Sequence, residues 1–398
     1  MLVNRVLFPA GSMTAVKLLI LFTTRMTGGA DITYGTPVVA EALRRGWDVH
    51  TACSDRPDLQ PLVDLLAKLG TTHHRCELVE EPYGRLRYRA MNALYARRAR
   101  KLIESVNADR VLLVLPYMTY GLGIMQACRR VAVPTVTVYQ LVKPQSCPAW
   151  RAARIRELLT THCAPVAVSD NNRQILCRLF GMEPEQINLI YNGITVTPRC
   201  DSADRGAVRA RIRTELGIPD TSKMLLTPAR VAPQKGHRFL VEIMPEILER
   251  YPDVTFVLAG DGPDLPAITS MVQDRGLDQK VQMLGHRDDV EALSIAADLF
   301  VFPTIYEGSP FGLLEAMSYG LPVVTTKASG ISEVVRHEQD GIVVDVGDSR
   351  SLLQGVLLAL SDMDRMQTMA ASAKQRVKEF SAEDMADRTL ELLERTGI

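Results

Sequence analysis

Two basic and two acidic residues stand in this sequence where apolar runs give way to glycine-rich loops, and together they could hold a phosphorylated, hydroxyl-rich ligand. Arg230 and Lys235 follow the run Met224-Leu225-Leu226-Thr227, in the loop Pro228-Ala229-Arg230-Val231-Ala232-Pro233-Gln234-Lys235-Gly236. Arginine offers a planar fork and lysine a mobile point charge, a suitable pair for a diphosphate. Glu307 and Glu315 lie in Tyr306-Glu307-Gly308-Ser309-Pro310-Phe311-Gly312-Leu313-Leu314-Glu315, after the apolar run 298–303. That stretch reads as a strand exit followed by a helix start, with Ser309 as N-cap and Pro310 as the first helical residue. Free N–H groups and the positive end of the helix dipole would then face an anion, and Gly312 would let it come close. An acid beside an anion-binding helix start needs a positive partner, which Arg230 and Lys235 supply.

Such groups need strands that end side by side. Strands are expected at 17–22, 47–53, 111–115, 135–138, 166–169 and 187–190, and again at 224–227, 254–259, 280–284, 298–303 and 322–326. Helical stretches fall between them, at 34–45, 86–106, 123–130 and 150–162, with Ser169 or Asp170 capping one that ends near Phe180. This rhythm gives an α/β fold of two doubly wound Rossmann-like domains facing across a cleft. The expected boundaries are 1–198 for the first domain, 199–378 for the second, and 379–398 for a helix crossing back to the first. The tail 349–395 reads as helical throughout, and the polar segment 195–206 as the linker. Open α/β sheets bind ligands at strand carboxyl ends, so Tyr117, Tyr120, Tyr139 and Gln140 are candidate acceptor contacts. Gly28 and Gly29, in the loop 27–31 after the first strand, could wrap a phosphate with backbone N–H groups. The three-glycine dinucleotide spacing is absent there.

At 398 residues with 46% hydrophobic content, the chain is long enough for two packed cores. Its seven cysteines are scattered with no C-x-x-C, which points to a reducing cytoplasm and away from a zinc site. Net charge is zero, but residues 1–200 hold 25 Lys and Arg against 15 Asp and Glu, while the remainder holds 21 against 31. The basic stretch from Arg85 through Arg87, Arg89, Arg97, Arg98 and Arg100 to Lys101, interleaved with tyrosines, could rest on anionic lipid headgroups or guide an anionic acceptor. No recognised nucleic-acid module surrounds it, and no apolar stretch is long enough to span a bilayer. A cytoplasmic protein, peripheral at most to the inner face of the membrane, is expected. Residues 1–12 precede a second methionine, Met13, and carry no functional reading.

Taken together, Arg230…Lys235-Gly236, Gly260-Asp261-Gly262-Pro263, Glu307 with Glu315 eight positions on, Gly320-Leu321-Pro322-Val323-Val324 and Gly330-Ile331-Ser332-Glu333-Val334-Val335 resemble glycosyltransferase family 4, the retaining group with the GT-B fold. The resemblance covers roughly residues 16–395. It implies that Arg230 and Lys235 hold the donor diphosphate with Gly29, that Glu315 bonds the ribose hydroxyls, and that Glu307 lies against the transferred sugar. It implies further that the base lies near His286 and Arg287, read by backbone groups, and that the stretch from Gly308 through Ser309, Pro310, Phe311 and Gly312 to Leu314 meets sugar or phosphate oxygens. Gly260 joins this donor set. No cofactor or metal is required on this reading; the donor is a nucleotide diphosphate sugar, a UDP-sugar by preference and a GDP-sugar as second choice. Retention implies same-face substitution with the leaving phosphate as base.

Two departures stand out. Many relatives carry a histidine where Val138-Tyr139-Gln140 stands, and the aspartate that often follows Asn192-Gly193-Ile194 is Thr195 here. The competing readings are a non-catalytic nucleotide-sugar-binding partner and a GT-B epimerase. The four charged residues together argue for the transferase.

Overall fold

The computed structural model describes residues 15–23, 30–78, 85–143, 147–195 and 202–397. The expected phosphate loop with Gly28 and Gly29 and the segment 1–12 lie outside them.

The first half alternates strand and helix: β1 (Lys17–Phe22), α1 (Ala30–Arg44), β2 (Asp48–Cys53), α2 (Gln60–Leu69), β3 (Thr72–Arg75), α3 (Arg85–Val106), β4 (Arg110–Leu115), α4 (Leu122–Val131), β5 (Thr135–Tyr139), α5 (Ala149–Leu158), β6 (Cys163–Ala167), α6 (Asp170–Phe180) and β7 (Asn188–Leu189). The second half repeats the alternation: α7 (Ser202–Glu215), β8 (Lys223–Pro228), α8 (His237–Arg250), β9 (Val254–Ala259), α9 (Leu265–Asp274), β10 (Val281–Gly285), α10 (Val290–Ala296), β11 (Leu299–Phe302), α11 (Phe311–Ser318), β12 (Val323–Thr326), α12 (Ile331–Val334) and β13 (Ile342–Val344). Three helices close the chain, α13 (Ser349–Ser361), α14 (Met363–Arg376) and α15 (Ala382–Arg395).

The strands form two parallel sheets, ordered β3-β2-β1-β4-β5-β6-β7 and β10-β9-β8-β11-β12-β13. Helices cover both faces of each, so the central strands are continuous apolar runs rather than alternating ones. Leu18 to Phe22, Val111 to Leu115 and Phe300 to Val301 are all buried. Each sheet carries a hydrophobic cluster on each face.

The chain crosses between the sheets twice. Ile194 N–H donates to Phe380 O at 2.9 Å and Ala382 N–H to Ile194 O at 3.0 Å, so the outgoing and returning segments run paired. A Cβ at Gly193 would lie 2.1 Å from Ser381 O, which fixes glycine there. Beyond the crossing, α15 lays Met385, Ala386, Leu390 and Leu393 into the core of the first sheet beside Leu18 and Ile20. The Tyr34 and Thr389 hydroxyls bond at 2.6 Å inside that core.

Several boundaries differ from expectation. The linker expected at 195–206 gives way to α7, whose residues Ile212 and Arg213 are buried. Arg213 anchors it by donating to Ala296 O (3.1 Å), Pro219 O (2.6 Å) and Asp298 Oδ2 (3.2 Å). The helix α1 begins at Ala30, inside the expected 27–31 loop, and α5 stops at Leu158 rather than His162. Two strands were not anticipated. The edge strand β3 reads Thr-His-His-Arg with no apolar pattern, and β13 has three residues.

Candidate active site

The exit loops of β8 and β11 are zipped together at the carboxyl edge of the second sheet. Ile305 N–H donates to Gln234 O at 2.7 Å, and the Gln234 amide donates to Tyr306 O at 2.8 Å. Gly236 has φ of 68°, and a Cβ there would lie 2.0 Å from Pro303 O. This left-handed, close-packed position accepts glycine only. The result brings Lys235 Nζ within 2.6 Å of Glu307 Oε1, which also accepts from the Thr304 hydroxyl at 2.7 Å. Glu307 is only 6% exposed. The ammonium lies 5.0 Å from the centre of the Phe302 ring. The β9 exit packs on the same loops: a Cβ on Gly260 would lie 2.1 Å from Ala229 O, and one on Gly262 2.2 Å from Val231 O.

The stretch after Glu307 is pressed against the first sheet. A Cβ on Gly308 would lie 1.7 Å from Gln140 O, at the exit of β5, and one on Gly330 2.4 Å from Gly308 O. Asn192 Nδ2 donates to Gln140 Oε1 at 2.9 Å and approaches Ser309 O at 3.4 Å. Glu333 reaches across from α12 and accepts from Asp170 N–H (2.7 Å) and Asn171 N–H (2.9 Å) at the start of α6. A carboxylate at a helix N-terminus meets both unpaired N–H groups and the dipole. Burial, with Glu333 beside it, pushes the Tyr191 phenol up to about 12. Lys143 of the first half bonds the Tyr306 hydroxyl and lies over its ring. The strand ends of the two sheets therefore meet face to face, with the Lys235–Glu307 pair beside the junction.

The expected residues fall into distinct places. Ser309 does not cap: α11 begins at Phe311 with Pro310 at the N-cap position, and the buried Ser309 hydroxyl has no partner. Leu314 is fully buried in the core beneath the second sheet, so its side chain packs rather than meets a donor. Leu313 and Leu314 N–H both donate to Pro310 O at 3.1 Å, so Phe311 and Gly312 carry the first N–H groups of α11, which lack an intrahelical partner. Nothing lies within 4 Å of a Cβ built on Gly312, so space is open there. Half-buried Phe311 packs against the cores of both sheets. Glu315 is half-buried on α11, and Arg230 is exposed at the β8 exit.

Just after β10, His286 is exposed and bonds Asp288 at 3.1 Å. The Arg287 guanidinium is tied to Asp289 (2.7 Å) and Glu215 (2.8 Å). Tyr139 corrects the acceptor set. Its ring is fully buried beside Phe180, with centroids 6.0 Å apart, because β5 is a central strand and this face of it points into the core. Gln140 is buried at the junction rather than displayed to solvent. Tyr117 is 39% exposed, with its ring 5.5 Å from that of Tyr120.

Comparison with known proteins places both halves in one family. Residues 38–197 match the Glycosyltransferase Family 4 profile and residues 208–376 the Glycosyl transferases group 1 profile. The chain belongs to glycosyltransferase family 4. An uncharacterized glycosyltransferase of Methanocaldococcus jannaschii is 32% identical over 60% of this chain and 62% of its own length. The UDP-Gal:alpha-D-GlcNAc-diphosphoundecaprenol alpha-1,3-galactosyltransferase of Escherichia coli is 26% identical over 56% and 57%. The match thus spans less than two thirds of these curated relatives. Among solved structures, Anabaena HepE in complex with UDP and glucose superposes with a TM-score of 0.79 over 95% of this chain and 99% of its own, at 20% identity. WaaG, a glycosyltransferase involved in lipopolysaccharide biosynthesis, gives 0.70 over 95% and 99% at 17% identity. The fold is GT-B.

Within this family 4 glycosyltransferase, sequence reasoning passed over Glu333, Lys143 and Asn192 as contacts. Each partner lies more than a hundred residues away along the chain, apart from the shorter step from Asn192 to Gln140. Glu333 alone carried a signal, as an acid inside a glycine-led helix start. His237, next to Lys235 and Gly236, has an imidazole 2% exposed with neither ring nitrogen paired. Burial, then the Lys235 charge, holds it down at about 4. Among the described residues no cluster of three or more His, Cys, Asp and Glu is arranged to hold a metal, and no helix is long and apolar enough to cross a membrane.

Proposed function

We propose that this glycosyltransferase moves a hexose-type sugar from a UDP-sugar to a hydroxyl acceptor, with retention and without a metal. The observation that carries the reading is the Lys235–Glu307 pair at 2.6 Å beside the junction of the two sheets. It sets a mobile cation next to a carboxylate, where a sugar diphosphate needs one partner for each of its ends. Lys235 and exposed Arg230 take the diphosphate, with Phe311 and Gly312 N–H adding donors. Glu307 accepts from the hydroxyls of the transferred sugar, and Glu315 from the ribose. The backbone at His286 and Arg287 meets the base. Tyr117 and Tyr120 line the acceptor side, and the span 1–198 serves as acceptor domain to the donor span 199–378.

In the transfer the anomeric C–O bond to phosphate breaks, and the acceptor oxygen bonds the same face. The acceptor proton passes to the departing phosphate oxygen. Cations already in place stabilise the charge growing on the diphosphate, usually the largest catalytic contribution. No second protein carboxylate is needed as nucleophile, in contrast to retaining hydrolases. Support for the donor comes from the solved neighbour that holds UDP and glucose and from the UDP-galactose-using relative. The basic face of α3, through Arg97, Arg98, Arg100 and Lys101, rests on anionic lipid and keeps the protein at the inner face of the membrane.

The test is turnover of labelled UDP- and GDP-sugars, with and without EDTA, reading slow acceptor-free hydrolysis and the anomeric configuration of the product. Lys235→Ala and Glu315→Ala should each weaken donor use by ten-fold or more, on the order of 1.4 kcal/mol. Wild-type turnover in both variants, or an inverted product, would remove the reading.

A further inference from the structure

A second cavity, of about 910 Å³, lies on the outer face of the first sheet's helical layer, between α3, α4 and α5. None of the donor-site residues lines it. Its lining includes three arginines, Arg129, Arg130 and Arg154, against one acid, Glu157. That acid is already engaged: Arg154 Nη1 donates to Glu157 Oε2 at 2.6 Å, and Arg129 Nη1 to Glu157 O at 2.8 Å. The two contacts brace two guanidinium groups at the opening, and each guanidinium has further N–H donors to offer. Arg130 is exposed beside them.

The walls behind the arginines are of a different kind. Asn92 is 8% exposed and donates through Nδ2 to Gln126 Oε1 at 2.9 Å, while its Oδ1 has no partner. A buried side-chain oxygen left unpaired is costly unless a donor reaches it. Half-buried Trp150 adds an aromatic wall, and Leu122 and Leu158 an apolar base. Forked cations at the opening, the braced Asn92–Gln126 amide pair and an indole match a phosphate carried on a hydroxyl-bearing body. The volume far exceeds that of inorganic phosphate. We propose that this cavity is a binding site for a phosphate ester of a polyol, separate from the donor site. Two sources carry this chemistry, a soluble glycerol or sugar phosphate and the headgroup of a phosphoglycerolipid.

Trp150 reports on the site, since the chain has two tryptophans and the other, Trp47, is buried in the core on the opposite face of the sheet. The experiment titrates the Trp47→Phe protein, saturated with UDP to block the donor site, while reading Trp150 emission. The same titrations on the wild-type chain by calorimetry guard against an effect of the Phe substitution. The probes are glycerol 3-phosphate, glucose 1-phosphate, neutral glycerol and glucose, and vesicles of phosphatidylcholine with or without phosphatidylglycerol. Saturable binding of the soluble esters assigns a soluble ligand, and a Trp150 response to the phosphatidylglycerol vesicles alone, kept in Arg97→Gln on the basic face of α3, assigns the headgroup. In either case Arg130→Gln and Arg154→Gln should weaken binding about ten-fold, and Arg250→Gln, on an exposed arginine of the second half, should leave it unchanged. No response to any phosphate probe overturns the proposal. So does equal weakening by Arg130→Gln and Arg250→Gln, which would mean diffuse charge attraction.

Discussion

Replacing Gly308 by alanine tests whether the meeting of the two sheets matters to this enzyme. The added methyl would sit 1.7 Å from Gln140 O, and ordinary contact begins near 3.4 Å, so the two backbones must separate by about as much again. Side-chain rotation gives no relief, because the obstacle is a carbonyl held by its own strand: Gln140 N–H donates to Leu115 O at 3.0 Å. The loop cannot retreat either, since Gly330 packs against Gly308 O on its far side and Ser329 Oγ donates to Glu307 O at 2.9 Å. The sheets must part instead, and the bonds lost include the two from Asp170 and Asn171 N–H to Glu333, the one from Asn192 to Ser309 O and the one from Lys143 to the Tyr306 hydroxyl. Counting only the two bonds to the Glu333 carboxylate, at about 1.5 to 3 kcal/mol each, the closed arrangement loses about 3 to 6 kcal/mol, a factor of roughly 150 to 25,000 in its population. The two cores are untouched, so the melting temperature should hardly move while kcat/KM with a UDP-sugar falls by about that factor. Small-angle scattering should show a larger radius of gyration. Gly312→Ala is the control: its methyl meets nothing within 4 Å, so it should leave scattering unchanged and act on donor affinity alone. Wild-type scattering and turnover in Gly308→Ala would refute the reasoning.

Three further outcomes follow from the same neighbourhood. His237 is ordinarily half-protonated near 6.5 when unfolded but is held at about 4 in the fold, so the unfolded chain binds the extra proton first. Stability should be full above pH 6.5 and fall by about 3 kcal/mol as pH drops toward 4, and urea titrations of His237→Phe should show that segment of the profile flattened. Glu333→Gln removes the charge that faces the α6 N-terminus and should cost about 1 kcal/mol of closure, read as a weaker version of the Gly308→Ala scattering change at unchanged melting temperature. Glu307→Gln should tighten UDP binding while weakening that of the UDP-sugar, by calorimetry. Equal shifts for both ligands would place Glu307 away from the sugar.

The fold was legible wherever burial on both faces wrote an unbroken apolar run. That is why β1, β4, β9 and β11 fall within a residue or two of their expected limits. It was illegible where the sheet is thin or one-sided. Polar β3 pairs with β2 alone, and β13 is too short to write a period. The site divides along the same line. Lys235 and Glu307 could be paired in advance because strands 8 and 11 are neighbours in a doubly wound sheet, so their exit loops adjoin. Ser309 misled because local capping chemistry favours serine, whereas here the loop's backbone is held by the opposite sheet and the helix begins later. Tyr139 misled for a geometric reason: the end of a strand alternates between cleft and core, and one residue of register decides which.

The pairing of Lys235 with Glu307 explains why a buried acid can stand beside an anion site at all. Without a ligand the ammonium answers the carboxylate, and the Thr304 hydroxyl adds a second bond, so neither charge is left bare in the interior. A diphosphate arriving alone would draw Lys235 toward itself and leave Glu307 underpartnered, facing a second anion. A diphosphate that carries a sugar brings hydroxyl donors to the abandoned carboxylate at the same moment. On the proposed reading the pair would favour the complete donor over the spent nucleotide, the discrimination a transferase needs if product is to leave. The same exchange cannot work with the sheets apart, because Gly308, the residue next to Glu307, is held against Gln140 only when they meet. If Glu307 recognises the donor as proposed, closure and donor recognition would be one event at one loop, because Glu307 and Gly308 are adjacent residues.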